Sequence, residues 1–120
     1  MTPHIHQNYI AGQWLAAGNA APNRNPSDTD EIIGHYAQGN ARDVDQAVQA
    51  AGAAFPAWST SGIQARSDAL ERIAAELLAR RDELGALLAR EEGKTRVEGV
   101  AEVTRAGQIF RWSRSAVAQG

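Results

Sequence analysis

The stretch that decides the fold is Tyr9-Ile10-Ala11-Gly12-Gln13-Trp14, near the start of the 120-residue chain. Glycine adopts a positive φ without steric cost, so Ala11-Gly12 predicts a tight turn. The residues on either side of this turn include Tyr9, Ile10 and Trp14, which supply apolar side chains for two short strands. The sequence therefore predicts a β-hairpin over residues 7–14.

A second turn is predicted at Asn25-Pro26-Ser27-Asp28, because proline presets φ at the first corner and holds Asn25 extended. The apolar run that follows predicts a strand over residues 31–37, ended by Gly39-Asn40. Residues 16–30 are otherwise interpreted as loop.

From Asn40 onward, apolar residues recur with the period of an α-helix. Asn40 is placed to cap the first predicted helix, and Asp43 lies in its first turn, where an acidic side chain is favoured. Pro56 is predicted to stop this helix. Its apolar face comprises Val44, Ala47, Val48, Ala51 and Phe55.

Three further helices are predicted, ending at about residue 115. The second begins with a capping box at Ser61–Gln64, and the fourth with a capping box at Thr95–Glu98. The third restarts at Asp82 and closes at Gly93, which suits the left-handed position after a helix. The apolar stripe of the second helix comprises Leu70, Ile73, Ala74, Leu77 and Leu78, and the third helix carries Leu84, Leu87 and Leu88. The fourth helix is predicted to direct Val97, Val100, Val103 and Phe110 toward a core.

The order of these elements predicts an α/β fold of which only the N-terminal part is present. Short strands over 7–37 are followed by four helices over 41–115, and no strand is predicted between the helices. Such a series cannot complete a parallel sheet, so the chain resembles the front edge of a larger α/β protein.

Composition limits the class of protein. The chain has 24 alanines but only 22 Leu, Ile, Val and Phe residues together, which predicts a thin core that favours packing against further structure. A net charge of -2 gives no basic surface for nucleic acid, and no cysteine is present for a disulfide, a metal thiolate or a thiol nucleophile. No signal peptide or membrane span is recognised, so a cytoplasmic location without membrane partners is expected.

No catalytic, cofactor-binding or metal-binding residue is assigned from the motifs. Gly93-Lys94-Thr95 resembles the end of a phosphate-binding loop, but Leu88 stands where that motif needs glycine and a helix precedes it. His4 and His6 have no third metal ligand near in sequence, and His35 is interpreted as a structural strand residue.

Charged residues near the third and fourth helices are likewise given structural interpretations. Glu91-Glu92 are adjacent on a helix and point apart, so they are interpreted as a solvated face. Arg105, Arg111 and Arg114 make the last stretch basic, as suits a helix C-terminus.

Six segments of the sequence stand in an order and spacing typical of one enzyme family. They are Tyr9 to Trp14, Asn25 to Asp28, Asp43-Val44-Asp45-Gln46-Ala47-Val48, Ala54-Phe55 with Trp58, Arg66, and Glu91-Glu92-Gly93-Lys94-Thr95. Together they resemble the N-terminus of the NAD(P)-dependent aldehyde dehydrogenases over residues 9–111, and the stretch 102–110 further resembles the branch that oxidises 2-oxoglutarate semialdehyde.

The resemblance implies that residues 1–120 are the first segment of a coenzyme-binding domain. In the whole family, a cysteine thiolate attacks an aldehyde, hydride passes to NAD or NADP, and a glutamate activates the water that releases the acid. These groups lie beyond the matched region, so no such role is carried onto a residue here and no coenzyme is expected to bind this segment. Some relatives hold a monovalent cation near the position of Glu102, which is interpreted here as plain helix surface.

After Phe110 the sequence departs from the family pattern, and a frameshift, a premature stop or a fragment of an intact gene each explains the departure. The leading expectation is an inactive piece of an aldehyde dehydrogenase. A second is a stand-alone helical interaction module that pairs through a Leu70–Leu88 surface, and self-association through exposed apolar surface is expected of either. A third, a phosphate-binding protein using Gly93-Lys94-Thr95, is not favoured.

Overall fold

The computed structural model describes residues 4–119, which form strands followed by helices. This order confirms the predicted α/β class. The chain divides into two compact units, an N-terminal unit (Met1–Thr60) and a C-terminal unit (Ser61–Gly120). The elements are β1 (Ile5–His6), β2 (Asn8–Ile10), β3 (Gln13–Leu15), β4 (Asn19–Asn25), β5 (Asp28–Gln38), α1 (Ala41–Ser59), α2 (Ile63–Ala79), α3 (Arg81–Glu92) and α4 (Arg96–Gln119).

The predicted hairpin is confirmed as the antiparallel pair β2–β3. Its two turn residues, Ala11 and Gly12, both have positive φ, at 54° and 78°. This is the backbone that a two-residue hairpin loop requires. Tyr9 pairs with Trp14 across the strands, and their ring centroids lie 4.9 Å apart.

The rest of the N-terminal unit's strands form a three-stranded sheet in the order β1-β5-β4. The turn after Asn25 is confirmed, since Asn25 pairs with Asp28 and its side-chain oxygen accepts from the Ser27 N–H at 2.9 Å. The loop predicted over 16–30 is wrong, because β4 and the first residues of β5 occupy most of it. Pro22 is tolerated in β4 because an edge strand has one set of backbone groups facing away from the sheet.

Helix α1 begins as predicted and ends later than predicted. The Asn40 side chain accepts from the N–H groups of Arg42 and Asp43, while the Asp43 carboxylate accepts from the Asn40 N–H at 2.8 Å. Pro56 does not stop the helix, which continues to Ser59. The Pro56 carbonyl holds this last turn, because it accepts from the Thr60 backbone N–H and from the Thr60 hydroxyl at 2.8 Å.

In the C-terminal unit, α4 packs against both α2 and α3. The capping box predicted at Ser61–Gln64 is wrong: Gly62 is the N-cap of α2, with no side-chain cap, and the Ser61 carbonyl instead accepts from the Arg66 guanidinium. The third helix restarts at Arg81, close to the predicted Asp82, and α4 extends four residues past the predicted end at 115.

The core of the C-terminal unit is built from small residues. Val103 is buried as predicted, whereas Val97 is 79% exposed, so its predicted core position is wrong. The stripe that does face the neighbouring helices follows a four-residue spacing along α4, which is the ridge by which helices commonly pack. The buried residues of this unit are Ser67 and Ala74 in α2, Gly85 in α3, and Gly99, Val103 and Gly107 in α4.

Candidate functional site

The corner between α3 and α4 contains the motif that most resembles a ligand site. Gly93 has a left-handed backbone, with φ of 71°, and closes α3. The N–H groups of Gly93 and Lys94 both donate to the Ala89 carbonyl, at 2.9 and 3.1 Å. These donors are therefore engaged in ending a helix, which confirms the helix-cap interpretation of Gly93 over a phosphate-binding loop.

Lys94 joins the two helices at this corner by ion pairs. Its ammonium lies 2.6 Å from a Glu92 carboxylate oxygen and 2.5 Å from one of Glu102. The hydrogen bonds that Lys94 donates to Glu102 and then to Glu92 raise the pKa of Lys94 above its ordinary value. Lys94 is thus charged at neutral pH and links α3 to α4.

Thr95 and Glu98 form the predicted capping box at the start of α4. The Glu98 carboxylate accepts from the Thr95 backbone N–H at 2.9 Å and from its hydroxyl at 2.7 Å, while the Glu98 N–H donates to that hydroxyl oxygen at 3.3 Å. The Thr95 hydroxyl, followed by its backbone N–H, lowers the pKa of Glu98. The prediction from spacing is confirmed.

This cap predicts an acid-sensitive contribution to stability. Because the folded-state pKa of Glu98 is lowered, its contribution is complete above the pKa of the unfolded chain and disappears as the pH falls through the folded-state value. Glu98→Gln is therefore expected to lower the melting temperature at neutral pH by a few degrees and to flatten its fall in acid. Thermal unfolding followed by far-UV circular dichroism at several pH values measures this.

Asp82→Asn is the matched control, since Asp82 lies in the first turn of α3, where no side-chain cap forms. It is expected to retain the acid dependence of the unsubstituted chain. If the melting temperature of Glu98→Gln falls in acid as steeply as that of the unsubstituted chain, the role of the cap is contradicted.

The histidines lie together in part but do not form a metal centre. His4 meets His6 edge-on, with ring centroids 5.1 Å apart, and His6 stacks on Tyr36 at 4.7 Å. His35 lies on β5 opposite Ile5 of β1. Within residues 4–119, no group of three or more His, Cys, Asp or Glu side chains could hold a metal ion.

The basic residues of α4 have a role that sequence reasoning missed. Arg111 and Arg114 both pair with Glu71 of α2, at 3.4 and 3.1 Å, so they link two helices rather than only balancing a helix end. The missed signal is Glu71 itself, whose partners lie forty or more residues away and leave no local pattern. Glu102, which was interpreted as plain helix surface, has its carboxylate paired with Lys94.

A groove of the C-terminal unit lies along one side of α4 and has a volume of about 430 Å³. Arg105, Gln108, Ile109 and Trp112 line it. None of these side chains is a nucleophile, and none is paired with a general base across the groove. This groove offers a contact surface and no catalytic arrangement.

Exposed apolar surface is the most prominent feature of the N-terminal unit. Val44, Val48 and Phe55, which the sequence placed on one apolar face of this helix, are 59%, 66% and 65% exposed on α1. The leucines of the proposed Leu70–Leu88 surface are half-buried in the C-terminal unit instead. None of the helices that the structure describes is long and apolar enough to cross a membrane.

Comparison with known protein sequences shows which proteins this chain is similar to. The model of the aldehyde dehydrogenase family matches residues 14–119. The chain is 35% identical over 114 residues to an alpha-ketoglutarate semialdehyde dehydrogenase of Haloferax volcanii, covering 93% of this chain and 24% of that protein. It is 40% identical over 97 residues to an N-succinylglutamate 5-semialdehyde dehydrogenase of Chromobacterium violaceum, covering 80% and 20%.

Solved structures agree with the sequence comparisons. A NAD-dependent benzaldehyde dehydrogenase from Corynebacterium glutamicum superimposes with a TM-score of 0.86 at 32% identity, over 93% of this chain and 25% of that one. The chain spans a quarter or less of the length of the curated relatives it matches, as fits the N-terminal portion that the resemblance indicated. It belongs to the aldehyde dehydrogenase family of oxidoreductases.

Proposed function

We propose that residues 1–120 are the first segment of the coenzyme-binding domain of an enzyme that oxidises a semialdehyde to a carboxylate with NAD or NADP. The observation that carries this proposal is the match of 93% of the chain to an aldehyde dehydrogenase structure at a TM-score of 0.86. A semialdehyde substrate is supported by the names of the two curated relatives. The segment is inactive alone, because it has no cysteine to attack an aldehyde.

The described residues do not fit a dinucleotide. The N-terminus of a helix that follows a strand is the usual place for a pyrophosphate, and α1 follows β5 in this way. However, the Asn40 side chain already accepts from the first free N–H groups of α1, and the Asp43 carboxylate adds negative charge there. Coenzyme binding is therefore assigned to parts of the enzyme that this segment does not contain.

A chimaera tests the proposal. In the chimaera, the part of this chain that matches the Chromobacterium violaceum enzyme replaces the corresponding segment of that enzyme. Reduction of NAD and NADP is measured by the absorbance of the reduced nicotinamide. The chimaera is expected to oxidise N-succinylglutamate 5-semialdehyde, whereas the 120-residue chain alone is expected to give no rate above a blank without protein.

Two results would contradict the proposal. Turnover by the chain alone would show that the segment carries its own chemistry. A chimaera that assembles like its parent but reduces neither coenzyme would show that this segment does not serve the family's reaction. A cytoplasmic location and self-association of the isolated chain stay predictions, which fractionation and sedimentation measure.

A further inference from the structure

The groove along α4 is formed by side chains from successive turns of one helix face. Its described lining stands at positions i, i+3, i+4 and i+7 of α4, which share a side of an α-helix. These residues are Arg105, Gln108, Ile109 and Trp112. Ile109 and Trp112 are 50% and 73% exposed, so the apolar surface of the groove stays open. Its volume of about 430 Å³ is within the range of about 300–1,000 Å³ that is typical of small-molecule sites.

Arg105 differs from the other arginines in the second half of α4. Arg111 and Arg114 pair with Glu71 of α2, whereas Arg105 has no ion pair or hydrogen bond with any side chain that the structure describes. No acidic side chain belongs to the described lining of the groove, so the charge of the guanidinium is not balanced there. The groove therefore combines an apolar wall with an uncompensated positive charge.

The polar groups of the groove favour an anion. A guanidinium can donate two parallel hydrogen bonds to one carboxylate, and this pairing is both strong and specific. The Gln108 amide and the Trp112 indole N–H are further donors, while Ile109 and the indole ring offer contact to a carbon chain. These features match a molecule with a carboxylate and a short apolar chain. A semialdehyde is such a molecule, since it carries a carboxylate at one end of its carbon chain and an aldehyde at the other.

We propose that the groove along α4 binds the carboxylate of the semialdehyde substrate, and that Arg105 is the residue that distinguishes a semialdehyde from an uncharged aldehyde. The inference rests on the proposed function and adds a substrate-binding residue to it. The aldehyde carbon lies outside the groove, where the rest of the enzyme supplies the nucleophile, because this chain has no cysteine.

A chimaera of the Chromobacterium violaceum enzyme tests this assignment, with the exchanged segment extended to the end of α4. The two substrates are N-succinylglutamate 5-semialdehyde and its dimethyl ester, which has no carboxylate. Arg105→Gln is expected to lower the preference for the acid over the ester, measured as the ratio of their kcat/KM values, by at least about tenfold. Arg105→Lys keeps the charge without the two parallel hydrogen bonds, so it is expected to retain part of the preference.

Arg96→Gln is the matched control. Arg96 is exposed on the same helix, and it stands nine residues, or about two and a half turns, before Arg105, on the opposite side of α4. This variant is expected to keep the preference of the unsubstituted chimaera, so an equal loss in both glutamine variants would overturn the inference. An Arg105→Gln chimaera that loses activity toward the acid and the ester in the same proportion would also overturn it, because that result assigns Arg105 to an ion pair within the enzyme.

The unsubstituted chimaera separates this inference from the proposed function. If it assembles like its parent and oxidises neither substrate, the proposed function fails. If it is active and Arg105→Gln keeps the full preference for the acid, the binding role of Arg105 fails while the proposed function stands. A preference that falls with Arg105→Gln and not with Arg96→Gln supports the carboxylate site.

Discussion

Replacement of Gly99 by valine is expected to unfold the C-terminal unit. A β-carbon at Gly99 would collide with the backbone carbonyl of Gly85, and its next neighbours are also backbone atoms of α3. Backbone cannot rotate aside as a flexible side chain can, so α3 and α4 would have to separate. Overpacking of this kind costs about 3 kcal/mol, and two further methyl groups add to it.

This cost is large for a unit of this size. A single small helical core supplies roughly 3–5 kcal/mol of net stability, so the substitution removes most or all of it. Helices α3 and α4 also approach each other closely at Gly85, since a β-carbon there would lie 2.6 Å from the backbone nitrogen of Val100. Gly85→Ala is expected to lower the melting temperature in the same direction, as measured by far-UV circular dichroism.

Gly52→Ala is the matched control for these glycine substitutions. Gly52 also lies inside a helix, but a β-carbon there meets nothing within 4 Å. Alanine is expected to stabilise α1 by about 0.5–1 kcal/mol through helix propensity and to leave the melting of the C-terminal unit unchanged. A Gly99→Val chain that melts like the Gly52→Ala chain would contradict the close packing of α3 and α4.

Val103→Asp is expected to have a comparably large effect on the C-terminal unit. Val103 is 8% exposed and faces the neighbouring helices from the middle of α4. An unpaired carboxylate there costs about 3–5 kcal/mol. Burial raises the pKa of such a carboxyl group, so its protonation in acid is expected to relieve part of the destabilisation. Urea unfolding at several pH values measures both effects.

Val97→Asp separates burial from the chemistry of the substitution. Val97 is 79% exposed in the first turn of the same helix, where a negative charge is favourable. The variant is expected to be as stable as the unsubstituted chain at neutral pH or slightly more so. If both aspartates destabilise equally, the core assigned to α4 is wrong.

The features that sequence predicted well are local ones. The hairpin turn at Ala11-Gly12, the caps at Asn40 and Thr95–Glu98 and the left-handed Gly93 each depend on residues within four positions of one another. Backbone geometry and short side-chain hydrogen bonds determine them almost alone. The helical corner that resembled a phosphate-binding loop could be rejected for the same reason.

The features that sequence missed depend on distant partners. β4 has few β-branched residues and contains Pro22, so only its pairing with β5 defines it as a strand. Val97 has the helical period of a core residue, but the close approach at Gly99 turns a different stripe of α4 inward. Glu71 likewise meets Arg111 and Arg114 through the packing of α2 on α4.

The candidate site shows the same limit. The sequence has no cysteine and no complete phosphate motif, so no catalytic or binding residue was predicted from it, and the exposure of Val44, Val48 and Phe55 was not predicted either. Helical period identifies an apolar face but does not say which polypeptide covers it. The run from Gln46 to Ser59, which contains no charged residue, was the available signal that this helix differs from the three charged helices that follow it.

The lack of a core in the N-terminal unit has a consequence for synthesis on the ribosome. Residues 4–60 emerge first, yet none of them is buried in the structure, whereas the C-terminal unit has its own buried residues. Chains grow at about 5–20 residues per second, and domains usually fold in order of emergence. Here we expect the reverse order: the helices after Ser61 fold before α1, whose Val44, Val48 and Phe55 stay exposed and open to chaperone binding.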